Sequence, residues 1–223
     1  MAIRAILFDV YGTLLDVHSA IRREGAELGT SADLISRLWR QKQLEYTWVW
    51  SLRGEYRSFR AVTEAALDFA LASHKVQSDA LRAKLLRAYE RLDPFTEVPD
   101  ALAALRDTGL RLAALSNGDP DLLESGLQAA RIQSMLDAVL SVASLRIYKP
   151  DRRVYELGRE WAGCPAAEIA FVSANAWDAG GAAAFGFRTF WIDRAGQPQE
   201  YDITRHATTI SSLDDVVRHL HLA

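Results

Sequence analysis

The sequence predicts an α/β protein: a parallel sheet covered by helices on both faces, with a block of helices inserted after the first strand. Three observations predict it. An apolar run from Ile3 to Val10 ends in a loop at Gly12, as a buried parallel strand does. From Pro99 onward, strand and helix patterns alternate. Between these regions, from about Val17 to Leu92, the periodicity is helical and no strand pattern appears.

Ile3, Ala5, Ile6, Leu7, Phe8 and Val10 make the first strand and leave Asp9 near its carboxyl end, the side on which open α/β sheets bind ligands. In the insertion, Leu34, Leu38, Gln41 and Glu45 fall at helical spacing, with Ser31 as N-cap and Asp33 in the first turn. Further helices are predicted over 58–74 and 78–91, after which Asp93-Pro94 and Val98-Pro99 punctuate the chain. The alternation then runs helix 101–108, strand 110–116, helix 120–130, strand 138–142 and helix 152–162. Strand 169–173, helix 177–185, strand 188–193 and a last helix from Leu213 complete it. Asp119-Pro120 reads as an N-cap and first-turn pair. Residues 1–15 and 94–223 are therefore expected to form a Rossmann-like, doubly wound core, and residues 16–93 a helical cap above its strand ends.

The chain has 223 residues, 49% hydrophobic and 25% charged, which is ordinary globular composition. Its net charge of −3 offers no basic footprint for nucleic acid or an anionic membrane. Cys164 is the single cysteine, so an intramolecular disulfide and a cysteine metal site are both excluded, and a small buried hydrophobe is its expected role. Met1 to Arg4 lead directly into the first strand, and no apolar stretch approaches ~18 residues, so neither a signal peptide nor a membrane span is expected. A cytoplasmic protein without a nucleic-acid or membrane partner is the expectation. None of the five histidines lies in a chemical motif except His18, just beyond the first loop, so a histidine base of the triad type is not supported.

Four segments carry chemistry. Asp9-Val10-Tyr11-Gly12-Thr13-Leu14 places one carboxylate and a tyrosine at the end of the first strand. Leu112 to Gly118 is a strand closing on Ser116, whose hydroxyl and the N–H groups of Asn117 and Gly118 suit an anion. Lys149-Pro150-Asp151 supplies a fixed cation. Ser173-Ala174-Asn175-Ala176-Trp177-Asp178 follows another strand. A fifth segment, Trp39 to Trp48, places Arg40, Gln41 and Leu44 at i, i+1 and i+4 of a helix, where they can share a face.

In this order the segments resemble the motifs of the haloacid dehalogenase (HAD) superfamily, and the Arg40 helix resembles the cap helix of its L-2-haloacid dehalogenase branch. Where the superfamily's phosphatases usually carry a second Asp, this chain has Tyr11. Where they place further carboxylates for Mg²⁺, it has Ser173 and Asn175. The resemblance implies a HAD-like fold and a metal-free, cofactor-free enzyme that converts short-chain (S)-2-haloacids to (R)-2-hydroxyacids with inversion. Asp9 would be the nucleophile and form an ester. Arg40 would accept the departing halide or the substrate carboxylate. Ser116, Asn117 and Gly118 would hold the carboxylate, and Tyr11, Gln41, Leu44, Phe59 and Trp177 would line the pocket. Lys149, Tyr155, Ser173, Asn175, Asp178 and Thr13 would serve ester formation and hydrolysis, with Asp178 the candidate to orient or deprotonate water. For Phe59, Trp48 and Trp50, plain core packing is the alternative role. The resemblance also suggests a homodimer and extends the possible substrates to haloacetates, fluoroacetate included. A Mg²⁺-dependent phosphatase or phosphonatase and a catalytically silent binding or scaffold protein are the competing readings. Tyr11 and Asn175 oppose the first, and the retained Asp9, Arg40, Ser116, Lys149 and Asp178 oppose the second.

Overall fold

The computed structural model describes residues 2–221, with only the backbone of His221. Met1, the first residue of the expected leader-free start, the His221 side chain, and Leu222 and Ala223 at the end of the expected core lie outside the described residues.

Six parallel strands form one sheet: β1 (Ala5–Phe8), β2 (Arg111–Ser116), β3 (Ala138–Ser141), β4 (Ile169–Ser173), β5 (Arg188–Ile192) and β6 (Ala207–Ile210), in the order β3-β2-β1-β4-β5-β6. β1 is central because nothing else in the sheet is so uniformly apolar on both faces, and its four residues are all buried. The strand order reverses direction between β1 and β4, and such a switch point opens a crevice at the carboxyl ends. Asp9 stands there, one residue past β1, with its N–H bonded to the Val172 carbonyl at 3.0 Å.

Beyond Asp9 the chain turns tightly, the Val10 carbonyl accepting from the N–H groups of Thr13, Leu14 and Leu15. It then enters the inserted helices α1 (Ser19–Glu24), α2 (Ala32–Leu52), α3 (Phe59–Ser73) and α4 (Asp79–Tyr89), with a 3₁₀ segment over Ala26–Ser31. α2 packs along α3, and α1 along α4. The outgoing and returning stretches of chain meet at a bridge between Leu15 and Pro94. The core helices follow: α5 (Val98–Asp107), α6 (Pro120–Ala129), α7 (Arg152–Ala162), α8 (Ala176–Phe185) and α9 (Asp214–His221). Cys164 is buried and free, as its small apolar character suggests.

Three local expectations are corrected. Ser31 does not cap α2 with its side chain: the 3₁₀ segment before it already holds its backbone in the helical region, whereas an N-cap needs an extended one. α5 begins at Val98, not Ala101, because Pro99 sits within the first turn, where its missing N–H costs nothing. β6 was not expected at all. It is a four-residue edge strand whose Thr208 and Thr209 are exposed, so it lacks the apolar signal that marked the buried strands.

Candidate active site

The site is built around Asp9, which is 5% exposed. Its two carboxylate oxygens are treated differently. Oδ2 accepts from Asn175 Nδ2 at 2.7 Å, Thr13 Oγ1 at 2.9 Å and Ser173 Oγ at 3.4 Å. Among the described residues, Oδ1 accepts from Lys149 Nζ alone, at 3.1 Å. Three donors from two neighbouring loops therefore fix one oxygen and leave the other comparatively free.

Lys149 is buried and lies between two carboxylates, its Nζ also 2.7 Å from Asp178 Oδ2. Burial alone disfavours the ammonium, but Asp178 and Asp9 together outweigh it and hold the lysine above its ordinary range. Asp178 is wholly buried, and desolvation pushes it up to about 6 against the pull of Lys149. Its other oxygen, Oδ1, accepts from the Tyr155 hydroxyl at 2.9 Å. A carboxylate held near 6 can exchange a proton close to neutral pH. Burial likewise raises the Tyr155 phenol well above its usual range, so it remains a donor.

Close packing around Tyr155 explains Gly181, the second glycine of the Gly180-Gly181 pair within α8; Gly180 has no such neighbour. A Cβ on Gly181 would collide with the Tyr155 hydroxyl and stand 2.8 Å from Pro150 Cβ. Gly181→Ala gains about 1 kcal/mol of helix propensity. The buried Tyr155 has no room to retreat, so an overpacking cost of about 1–3 kcal/mol wins. The variant is expected to melt at lower temperature, as thermal unfolding would record.

The inserted helices contribute Arg40, which is half-buried. Its guanidinium donates to the Tyr11 carbonyl at 2.9 Å, to Asn175 Oδ1 at 3.3 Å and to Gln43 Oε1 at 2.8 Å. Asn175 thus links Arg40 to Asp9, donating through Nδ2 and accepting through Oδ1. Tyr11 and Phe59 pack with ring centroids 4.9 Å apart, and Trp177 meets Trp48 edge-on at 5.5 Å. A cavity of about 500 Å³ lies between the end of α2 and the core, lined by Trp48, Leu52, Tyr148, Lys149, Trp177 and Tyr201 among others. Leu44 is half-buried on α2.

Ser116 is fully buried at the end of β2. Its hydroxyl accepts from the Gly118 N–H at 3.2 Å, so that N–H, expected to face an anion, has an internal partner. Gly118 is required for a different reason as well: a Cβ there would stand 2.8 Å from Tyr11 Cε2. Asn117 Oδ1 accepts from the Lys149 N–H at 3.0 Å and so ties the lysine loop to the Ser116 turn.

Of the residues expected from sequence, Asp9, Thr13, Arg40, Lys149, Tyr155, Ser173, Asn175 and Asp178 form one hydrogen-bonded network. Ser116, Asn117 and Gly118 adjoin it through Lys149, and Tyr11 and Phe59 form one aromatic wall. Gln41 does not join them and is exposed. The glutamine that does is Gln43, 1% exposed, which binds Arg40, Thr63 and Tyr89. Its position one helical turn after Arg40 was the available signal. Arg194 was also missed. It donates to the Thr13 carbonyl at 3.0 Å and the Gly12 carbonyl at 3.4 Å, pairs with Glu97 and stacks on Phe95, bracing the nucleophile loop from behind. Nothing in the sequence distinguished it from a solvated loop arginine.

His18 precedes α1 and its Nδ1 lies 2.7 Å from Ser36 Oγ. Among the described residues, no group of three or more His, Cys, Asp or Glu side chains could hold a metal ion. No described helix is long and apolar enough to cross a membrane.

Comparison with known proteins places this arrangement. The model of the haloacid dehalogenase-like hydrolase family matches residues 3–186. (S)-2-haloacid dehalogenase 4A of Burkholderia cepacia is 42% identical over 216 residues, covering 96% of this chain and 94% of its own. (S)-2-haloacid dehalogenase of Pseudomonas sp. (strain YL) is 48% identical over 195 residues, 87% of this chain and 84% of its own. The solved structure of the L-2-haloacid dehalogenase from Xanthobacter autotrophicus, with chloropropionic acid covalently bound, has a TM-score of 0.90 at 32% identity and covers 98% of both chains.

Proposed function

This chain belongs to the haloacid dehalogenase-like hydrolases, and on that premise we propose how its residues hydrolyse short-chain (S)-2-haloacids to (R)-2-hydroxyacids. The activity is the one its relatives are named for, and chloropropionic acid is covalently bound in one of their solved structures; in this chain we assign that bond to an ester on Asp9. The observation that carries the assignment to Asp9 is the asymmetry of its carboxylate, one oxygen held by three donors and the other by Lys149 alone.

In our reading Asp9 Oδ1 attacks the carbon bearing the halogen from the side opposite the leaving group. The C–O bond forms, the C–halogen pair departs as halide, and the configuration inverts. A hydrated carboxylate is a poor nucleophile, so Tyr11, Phe59, Leu44 and Trp177 keep water from the site and hold the attack geometry. Ser116 and the adjoining backbone receive the substrate carboxylate, while Arg40 meets the charge growing on the halogen. Asp9 Oδ2 then becomes the ester carbonyl, and Thr13, Ser173 and Asn175 are already placed to stabilise the oxyanion when water adds to that carbon. Asp178 takes the proton from this water, and Lys149 balances the charge of the two carboxylates throughout.

We further assign residues 16–93 as a cap domain on a core of 1–15 and 94–223, supported by the Leu15–Pro94 meeting of its two connections. A cytoplasmic homodimer acting on small 2-haloalkanoates, without nucleic-acid or membrane partners, completes the proposal. Haloacetates, fluoroacetate among them, are included as candidate substrates.

The reading is tested by halide release from (S)- and (R)-2-chloropropionate with EDTA present and product chirality recorded. Chloride from the S enantiomer alone, with (R)-lactate formed, is expected. Activity only after Mg²⁺ is added, on a phosphate ester, would favour the phosphatase reading. A pH profile follows from Asp178. Because the base must be ionised, ester hydrolysis should fall tenfold per pH unit below about 6, the value to which burial raises this carboxyl. Lys149, held above its ordinary range, should leave the rate level on the alkaline side. Single-turnover rates between pH 4.5 and 9 would show both limbs, with these bounds chosen roughly around the usual working range.

A further inference from the structure

Asp119 has the sequence position and extended backbone of an N-cap for α6, yet its side chain makes no capping bond to that helix. It reaches instead across to the inserted helices. Its Oδ1 accepts from the Phe59 N–H at 3.1 Å and its Oδ2 from the Arg60 N–H at 2.8 Å, the first two residues of α3. The next donor, Ala61 N–H, goes to Ser58 Oγ, and Val62 N–H opens the helical ladder at the Ser58 carbonyl. The first-turn N–H groups of Phe59, Arg60 and Ala61, which a helix leaves without partners of its own, are therefore all satisfied, two of them by a residue of the core. Asp119 is 8% exposed, and a carboxylate on a helix N-terminus is favoured by both charge and dipole.

We propose that Asp119 is a positioning residue that latches the cap to the substrate-binding turn, a role that rests on the dehalogenase reading of this site. α3 opens with Phe59, the residue that packs on Tyr11, so the latch sets where that wall stands. The same turn carries Ser116, and its Asn117 holds the Lys149 backbone. Ser116, Asn117 and Asp119 thus refer the carboxylate cradle, the central lysine and the cap to one piece of backbone. Moving α3 outward would strand a buried carboxylate and two N–H groups together, which makes the closed arrangement the preferred one. Closure excludes water from the Asp9 nucleophile, and the position of Phe59 limits the alkyl chain that fits.

The first test uses the unmodified protein. Amide hydrogen exchange at Phe59 and Arg60 should be protected to the same order as at Val62, although first-turn amides ordinarily exchange freely. Free exchange at both would overturn the latch. The second compares the wild type with Asp119→Asn, which keeps the shape and loses the charge. Exchange at Phe59 and Arg60 should quicken by about tenfold, the difference between a charge-assisted and a neutral bond. The ratio of kcat/KM for 2-chlorobutanoate to that for 2-chloropropionate should rise severalfold. An equal loss on both substrates would reduce Asp119 to a structural role and overturn the positioning claim. If neither protein released halide from any 2-haloacid, the activity reading would fall, while the exchange data would still decide whether Asp119 holds the helix.

Discussion

Asp9→Asn is expected to lower halide release by about 10⁴-fold or more, the scale on which removal of a nucleophile acts. The amide has nearly the shape of the carboxylate, so the hydrogen bonds to Oδ2 can largely persist and the fold should be kept. What disappears is the anionic oxygen beside Lys149, and with it the bond to carbon. An amide oxygen carries no full negative charge and cannot form a neutral ester on attack. Purified variant assayed at once, with the mass of the Asp9 peptide checked for reversion to Asp, separates true residual activity from spontaneous deamidation. Full chloride release by material still carrying Asn would remove Asp9 from the nucleophile's role.

Lys149→Met should damage both stability and rate. The ammonium bonds to both Asp9 and Asp178, and its side chain is wholly buried. Breaking a buried pair costs about 3–5 kcal/mol, because charge remains without compensation. Two adjacent buried carboxylates cannot both ionise easily, so one takes up a proton and either the nucleophile or the base is lost. Turnover should fall by about 10³-fold, a magnitude typical of losing one preorganised electrostatic contact. The stability deficit has a sign in pH. In the variant these carboxyl groups would titrate above their unfolded values near ~4. Folding then loses stability as pH rises through that range, and regains it as pH falls. Thermal melts at acid and neutral pH should show the gap to wild type widening toward neutral. A constant gap would mean that packing of the lysine stem, and not its charge, is what the site requires.

The core was legible because buried parallel strands write apolar runs, and because Asp9, Ser116 and Ser173 each stand at or just beyond such a segment, whereas Lys149 lies in the loop between β3 and α7. β6 wrote no such run, since its consecutive Thr208 and Thr209, which point to opposite faces, are both exposed. The Asp9 network was legible from motif order, which fixes residues that converge through the sheet. Contacts that converge across the cap were not. Helical spacing put Arg40, Gln41 and Leu44 on one face, but packing within the inserted helices turns Gln43 inward, to Thr63 on α3 and Tyr89 on α4, and leaves Gln41 exposed. Asp119 looked like the N-cap of its own helix, because the competing N–H groups of α3 lie sixty residues earlier in the chain. Arg194 pairs with Glu97 at comparable remove. Local patterns cannot rank a near partner against a distant one that only tertiary packing supplies.

Everything around Asp9 turns on the covalent step at its carboxylate. A single turnover in H₂¹⁸O, with enzyme in excess over (S)-2-chloropropionate, follows the oxygen atoms. If Asp9 Oδ1 forms the ester and water adds to the ester carbonyl, the first-turnover lactate carries unlabelled oxygen at its hydroxyl, and ¹⁸O appears in the peptide containing Asp9. Labelled lactate with an unlabelled Asp9 peptide would mean that water attacks the substrate carbon directly, and would contradict the roles assigned to Thr13, Lys149, Ser173 and Asn175 as donors to Asp9.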